Sequence, residues 1–583
     1  KAFQFQIIIL AILAHTISYC HFSLGQTNTD KQLALEYYQN QEYDKAAILY
    51  EGLFAKSQLD YYYNFYLSCL LKLEDYKQSV NLVKKQIKRN PENLGYLVDF
   101  GYVYYSSGDI VKSRQQYDKA IKLLPPESEQ IILLANAFLA KSVDDYSIET
   151  YLKGRKLLKN DHAFYFELAN VYSKVGNLEA MITEYLDLLH EAPSQKEQVQ
   201  NFLQARLFEE ENLKNTELLN DLLIKKIQKF PSEIIYPEML IWHYVQLHQF
   251  DAAFIQAKAL DKRQKEEGAR LIDLGKLCVE NNSFDAGIKC FQYVIDKGKT
   301  SYLYSMAKIE ILNALKTKIT SSDYTRDDLV ELEKNYQLAL DEFGKSQNTL
   351  SIIRGLSYLK AFYLDDPDGA ISLLKEAVSL PRLSDREGAE CKLELADILL
   401  LKGETWDASL FYSQVDKAFK NDPIGHEAKF RNAKLFYFKG EFDWAHSQLD
   451  VLKASTSKLI ANDAMELSLL ISDNTTLDTS TEALLLFAGA ELLSFQNKDV
   501  QAVAALDSII KMFPGHSLTD ECYMKNAEIL IKKRNYSGAA KYLSKIVSDF
   551  PSDILGDDAL FILAELFETK LVETTKAMEL YQQ

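Results

Sequence analysis

Small residues recur in this chain at the spacing of helical hairpins. Ala46, Ser79 and Ser113 follow one another at 33 and 34 positions, Ala370, Ala408 and Ala445 at 38 and 37, and Ala502, Ala539 and Ala577 at 37 and 38. An aromatic usually stands about three residues before each, as Tyr43 does before Ala46 and Tyr76 before Ser79. A period in this range is one pair of helices per repeat. A single hairpin cannot bury its apolar face alone, so it stacks on its neighbours. This also resolves the problem of size. A chain of 583 residues is too long for one compact core, but a stack in which each unit packs only on the next has no such limit.

The stretch Leu97–Pro125 shows one repeat. Phe100, Gly101 and Tyr104 share one helix face, Gly108-Asp109 breaks the helix, and Ser113, Tyr117, Ala120 and Ile121 share a face of a second helix that Pro125 ends. Antiparallel helices approach closely where side chains are small, which places Gly101 and Ser113 at the crossing. The same order returns in Tyr63, Tyr66, Leu70, Tyr76, Ser79 and Val83, in Leu168, Ala169, Tyr172, Gly176, Met181 and Tyr185, and in Leu274, Gly275, Cys278, Phe284, Gly287 and Phe291. Twenty-two glycines and eleven prolines suit helices joined by short turns.

This order of small, aromatic and proline positions resembles the tetratricopeptide repeat family over about three quarters of the chain. The resemblance implies an all-α fold, a right-handed superhelix of antiparallel helix pairs. It also implies a concave groove that binds partner proteins or peptides. Three regions fit the pattern poorly. Ser128–Leu158 is helical in period but shows no small crossing residues. Thr300–Gly344 reads as two longer helices split near Thr320-Ser321-Ser322. Asp450–Thr481 carries extra residues and ends in Ser472–Thr481, expected as a loop, with a chance Asn474-Thr475-Thr476 sequon.

The lengthening period divides the repeats into an amino-terminal array, 26–345, and a carboxy-terminal array, 346–583, which is expected to be cut short in its last hairpin. Residues 1–25 read as an export signal. Lys1 precedes the apolar run Ile7 to Ala14, and Ser23 and Gly25 place small residues before a cut at Gln26. Tyr19 is too large for a lipobox, so lipidation at Cys20 is not expected. No later stretch is apolar enough to span a bilayer. The connectors Phe513-Pro514-Gly515-His516-Ser517 and Phe550-Pro551-Ser552-Asp553 look like those of envelope repeat proteins of Gram-negative bacteria. A periplasmic or outer-membrane-associated protein is therefore expected. Of five cysteines beyond the signal, Cys69, Cys278, Cys290, Cys391 and Cys522, none forms a CxxC, which argues against a zinc site or a disulfide framework. Cys278 and Cys290 lie on opposite helices of one pair and could meet, but free buried thiols are the expectation.

Motifs for chemistry are missing. His426-Glu427 lacks the second histidine of a zinc-protease helix, and no nucleophile elbow occurs. Gly298-Lys299-Thr300 and Gly344-Lys345-Ser346 lack the earlier glycine of a phosphate loop. His243 and His248 are poorly spaced to share a metal. Asp365-Asp366 and Asp557-Asp558 stand where carboxylates cap helices. No cofactor, metal or catalytic residue is expected. A net charge of −17 disfavours nucleic acid as a partner. Chaperone-tail binding fails as well. Lys31 fits a carboxylate clamp, but Leu35, Phe65, Gly95 and Asp99 occupy its other positions and cannot hold an anion.

What remains is a groove for proteins or peptides. On the first-helix face that lines the groove in this family stand Tyr61, Asn64, Tyr102, Tyr105, Phe166, Asn170, Lys174, Lys434 and Tyr437. Aromatics interleaved with amides and lysines provide large contact areas with few rotors. The expectation is a non-catalytic scaffold of the bacterial cell envelope. An accessory role in outer-membrane assembly or secretion is one alternative, and a peptidoglycan-associated binding module is another.

Overall fold

The structure, a computed structural model, describes residues 29–208, 213–321, 324–453, 458–476 and 481–583. The expected signal at 1–25, with Cys20, lies outside the described residues. The chain divides into two compact units, Lys1–Leu260 and Asp261–Gln583. The period-based boundary at 346 falls inside the second unit, where one apolar core runs from Leu312 to Ile529.

In both units the described residues build helical hairpins of the tetratricopeptide type. The first unit opens with a helix at 29–39 paired with Tyr43–Ser57, then Asp60–Lys72 with Tyr76–Arg89, and Gly95–Ser106 with Ile110–Lys122. The turns have a simple local cause. A residue in the left-handed region, such as Glu74 (φ 57) or Gly108 (φ 83), reverses the chain. Asp75 or Asp109 then caps the second helix by accepting from the main-chain N–H of Gln78 or Lys112.

The row of small residues is the axis of this packing. Ala46, Ser79, Ser113, Ala253, Ala370, Ala408, Ala445, Ala502 and Ala539 each occupy the fourth position of a second helix and are at most 1% exposed. The hairpin Ser128–Ala140 with Asp144–Leu158 corrects the expectation that its crossing residues are missing. Ser147 is fully buried at that same fourth position, and Ala135 on the first helix of the pair is fully buried too. The row therefore runs through Ser113, Ser147 and Met181 without a break. Gly101 has a sharper task than opening space for Ser113. A Cβ there would lie 2.2 Å from Cε1 of Tyr117, so the missing side chain seats that ring. Gly275 seats Phe291 in the same way, at 2.5 Å.

In the second unit Tyr304–Ser321 and Arg326–Phe343 are the two long helices expected there. The expected loop at Ser472–Thr481 is corrected. A helix spans Lys458–Thr476, and 477–480 lie outside the described residues. Asn474 is 2% exposed and its side-chain amide donates to the Leu470 carbonyl, so the sequon is shut inside the packing. This single helix explains why the row jumps 57 residues from Ala445 to Ala502. It also lets Glu482–Phe495 pack directly on Pro423–Phe438. The five cysteines are buried and outside any disulfide. No helix among the described residues is long and apolar enough to cross a membrane.

Candidate functional site

The nine groove candidates fall in both units. In the first unit Tyr61 and Asn64 are exposed on Asp60–Lys72, and the Tyr61 ring lies 4.9 Å from Phe65. Tyr102 and exposed Tyr105 stack at 6.2 Å on Gly95–Ser106, with the Lys141 ammonium 5.4 Å from the Tyr102 centroid. Lys141 is fixed by an ion pair to Asp99 at 2.9 Å, and Asp99 also accepts from the Tyr63 hydroxyl. Asp99 is thus a structural anchor. Phe166 is half-buried between Tyr185 and Phe202, while Asn170 is exposed. Lys174 is exposed but paired with Asp144 at 2.6 Å. The structure brings Tyr61 with Phe65, and Tyr102 with Tyr105, but does not gather the seven into one pocket.

In the second unit the two candidates part company. Tyr437 is a correction: it is fully buried, and its hydroxyl donates to Glu491 Oε2 at 2.8 Å. The direct packing of Glu482–Phe495 on its own helix turns this face inward. Lys434, one turn earlier, opens instead into a cavity of about 910 Å3.

Three turns and helix ends far apart in sequence build that cavity. One wall is aromatic: Tyr324, Tyr358, Phe362 and Tyr363, with Tyr358 and Tyr363 centroids 5.8 Å apart. Tyr324 and Tyr358 are each 44% exposed. The facing wall carries Lys434, Lys525, Lys532, Lys533 and Arg534, with Phe438 and Phe495 between them. The Arg534 guanidinium lies 6.0 Å from the Tyr324 ring centroid. The edge is closed by the turn after Glu482–Phe495. Gln496 donates to the Leu400 carbonyl and Asn497 to the Phe362 carbonyl.

Glu491 is the single carboxylate among the described lining residues. It accepts from Tyr437 on one oxygen, and Lys525 Nζ lies 3.4 Å from the other. Burial opposes the charge on Lys525, but Glu491 and Glu528 together outweigh it and hold its pKa above the ordinary lysine value. Burial, then Glu491, pushes the Tyr437 hydroxyl well above its usual range, so it stays a donor. Behind this network Glu521 is raised to about 9, by burial first and then by sharing a hydrogen bond with Asp520. The lining holds no histidine or cysteine among the described residues. No group of three metal-ligating side chains occurs among the described residues.

Sequence reasoning missed Tyr358, Tyr363 and Arg534. The Lys532-Lys533-Arg534 run was visible as charge, but nothing local ties it to Tyr324. The phosphate-loop mimics resolve as turns, with Lys299 paired to Glu342 and Lys345 to Glu376.

Fold and site define a tandem helical-hairpin repeat protein with an open, cation-rich cavity in its second unit. No family model and no curated protein matches the chain. Among solved structures it is similar to Naa15, in a structure of Naa15/Naa10 bound to HypK-THB, at 13% identity over 95% of this chain and 93% of that one, with a TM-score of 0.27. It is similar to a tetratricopeptide repeat protein from Parabacteroides merdae at 12% over 52% and 99%, with a TM-score of 0.28. It is similar to yeast Tom70 at 14% over 94% and 97%, with a TM-score of 0.28. At such scores the architecture rests on the chain's own helix pairs.

Proposed function

We propose that the chain is a non-catalytic scaffold that binds a segment of a partner protein, and that it works in the bacterial cell envelope after export. The observation that carries the binding role is the cavity of the second unit. Two tyrosines, Tyr324 and Tyr358, stand 44% exposed there, steadied by Tyr363 at 5.8 Å from each, in a cavity that also carries five cations. Rings held open on a preformed helical frame give a partner large contact area with little ordering cost. The lone carboxylate, already engaged by Tyr437 and Lys525, argues against turnover. The envelope location rests on the apolar run after Lys1 and on the proline connectors.

Site-specific photo-crosslinking in living cells tests both parts. A crosslinker at Tyr358 should give a discrete protein adduct, and one at Trp406, 77% exposed and outside the cavity lining, should not. Equal labelling from both positions, or none from Tyr358, would remove the cavity from the binding role. Adducts with cytosolic proteins alone would end the envelope assignment.

A further inference from the structure

We infer that the cavity of the second unit takes an acidic segment of a partner protein that carries one aromatic side chain among its carboxylates. The inference rests on the scaffold reading and adds the chemistry of the occupant.

Charge makes the first argument. Five cations and one carboxylate line the cavity, in a chain whose net charge is −17. A concave surface of one sign focuses field far more than the same charges spread over a convex face. Glu491 offsets one of these cations, Lys525, which Glu528 also holds at 2.9 Å, and the other four keep the lining positive. Lys532 and Lys533 lean on Asp499, which is 4% exposed and outside the lining, and keep half their side-chain surface open. Among the described residues Lys434 forms no direct ion pair; its ammonium lies 5.8 Å from the Phe438 ring centroid and within electrostatic reach of Glu466. A cation held against a ring keeps its donors free for an incoming anion.

The facing wall makes the second argument. Tyr324 and Tyr358 offer ring faces and hydroxyls, and Lys316 places a further ammonium 5.7 Å from the Tyr358 centroid. An aromatic side chain between these rings would gain offset or edge contacts. Carboxylates on either side of it would reach Lys434 and Arg534. The volume suits a few residues of chain, at the upper end of the ~300–1,000 Å3 usual for ligand sites. A nucleic-acid strand needs a continuous cationic track along its backbone, whereas the cations here are confined to one cavity of an acidic chain. A peptide with a few carboxylates fits better.

The test uses the full chain and a fluorescein-labelled peptide of glutamates around one phenylalanine, read by anisotropy. The same peptide with glutamines, a version lacking the phenylalanine, and oligothymidylate serve as competitors. The expected result is binding that weakens with salt and falls at least about tenfold on changing glutamate to glutamine, the loss of roughly one good ionic contact. Lys434→Gln with Arg534→Gln should weaken it at least about tenfold, with the circular-dichroism melt unchanged. If that pair fails to fold, Lys434→Gln alone carries the same expectation in smaller measure. Equal binding of the glutamine peptide, still lost in Tyr358→Ala, would overturn the acidic class and leave the scaffold reading standing. Binding unaffected by Lys434→Gln would place the peptide elsewhere and overturn the inference. Tighter binding of oligothymidylate with the same variant sensitivity would overturn it in favour of nucleic acid.

Discussion

Asn497 donates from its side-chain amide to the main-chain carbonyl of Phe362, 3.2 Å away across 135 positions of sequence. Its carbonyl oxygen meanwhile accepts from Lys532 at 2.9 Å. One exposed side chain thus ties the end of Leu350–Phe362, the turn before Asp499–Met512 and the cationic wall into one rim. The second unit holds its cavity by such end-to-end contacts, since neighbouring hairpins alone do not bring Tyr324 to Arg534.

Asn497→Ala should therefore act on the rim more than on the core. A solvent-accessible hydrogen bond contributes about 0.5–1.5 kcal/mol, so global stability should change little. Amide exchange should speed up at Tyr363 and Leu364, and peptide affinity should drop. Unchanged exchange at those amides would mean that packing of Leu350–Phe362 positions the wall without this contact.

Gly101→Ala tests how the repeat is seated. Alanine favours a helix by roughly 1 kcal/mol over glycine, but here the new methyl would meet the Tyr117 ring. That ring is 3% exposed and packs edge-on to Phe138 at 5.3 Å, so it has nowhere to go. Overpacking of about 1–3 kcal/mol should outweigh the helical gain. The denaturant midpoint should fall, and adding Tyr117→Leu should recover much of the loss. A rise in midpoint for the single variant would show that the ring shifts freely.

How far the sequence could be read follows from the same geometry. The fourth-position row was legible because it depends on neighbours three and four residues apart. Ser147 escaped because its turn offers no capping side chain: Val143 stands where Asp75, Asp109 and Asn177 stand elsewhere. Tyr437 was misassigned because its neighbour, Glu482–Phe495, follows an inserted helix that no repeat period announces. The cavity itself was illegible. It depends on small rotations accumulated over several hairpins, and these bring residues 324–363 against 491–536 only in the folded unit. Two of the nine groove candidates lie in the second unit, and Lys434 alone lines its cavity.

Glu521 should make the second unit lose stability as pH rises from 4.5 towards about 9. Its folded pKa is raised to about 9 by burial and by Asp520, against an ordinary value of 4.5. Below 4.5 both folded and unfolded states hold the proton, and the folded state pays no charging cost. As pH rises from there towards 9 the unfolded state releases the proton and the folded state keeps it, so stability falls throughout that window. Glu521→Gln keeps the shape and cannot titrate. The melting temperature of the variant should fall less than that of the wild type between pH 5 and 9. Parallel curves would mean that Asp520 and Glu521 are solvated in the folded chain.

His243 predicts the opposite slope for the first unit. The ring is 1% exposed, lies 5.9 Å from Phe208, and has no hydrogen-bond partner at Nδ1. Burial lowers its pKa from 6.5 to about 4. Above pH 6.5 the ring is neutral in both states and costs nothing. As pH falls towards 4 the unfolded chain takes up a proton that the folded chain refuses, and stability is lost by about 2 kcal/mol at pH 5. His243→Phe should remove this component, since the surrounding rings accept an apolar side chain. Hydrogen exchange within Ile235–Gln246 at pH 7 and pH 5 reads it directly. Protection should drop more in the wild type than in the variant, whereas equal drops would assign the acid sensitivity to carboxylates elsewhere.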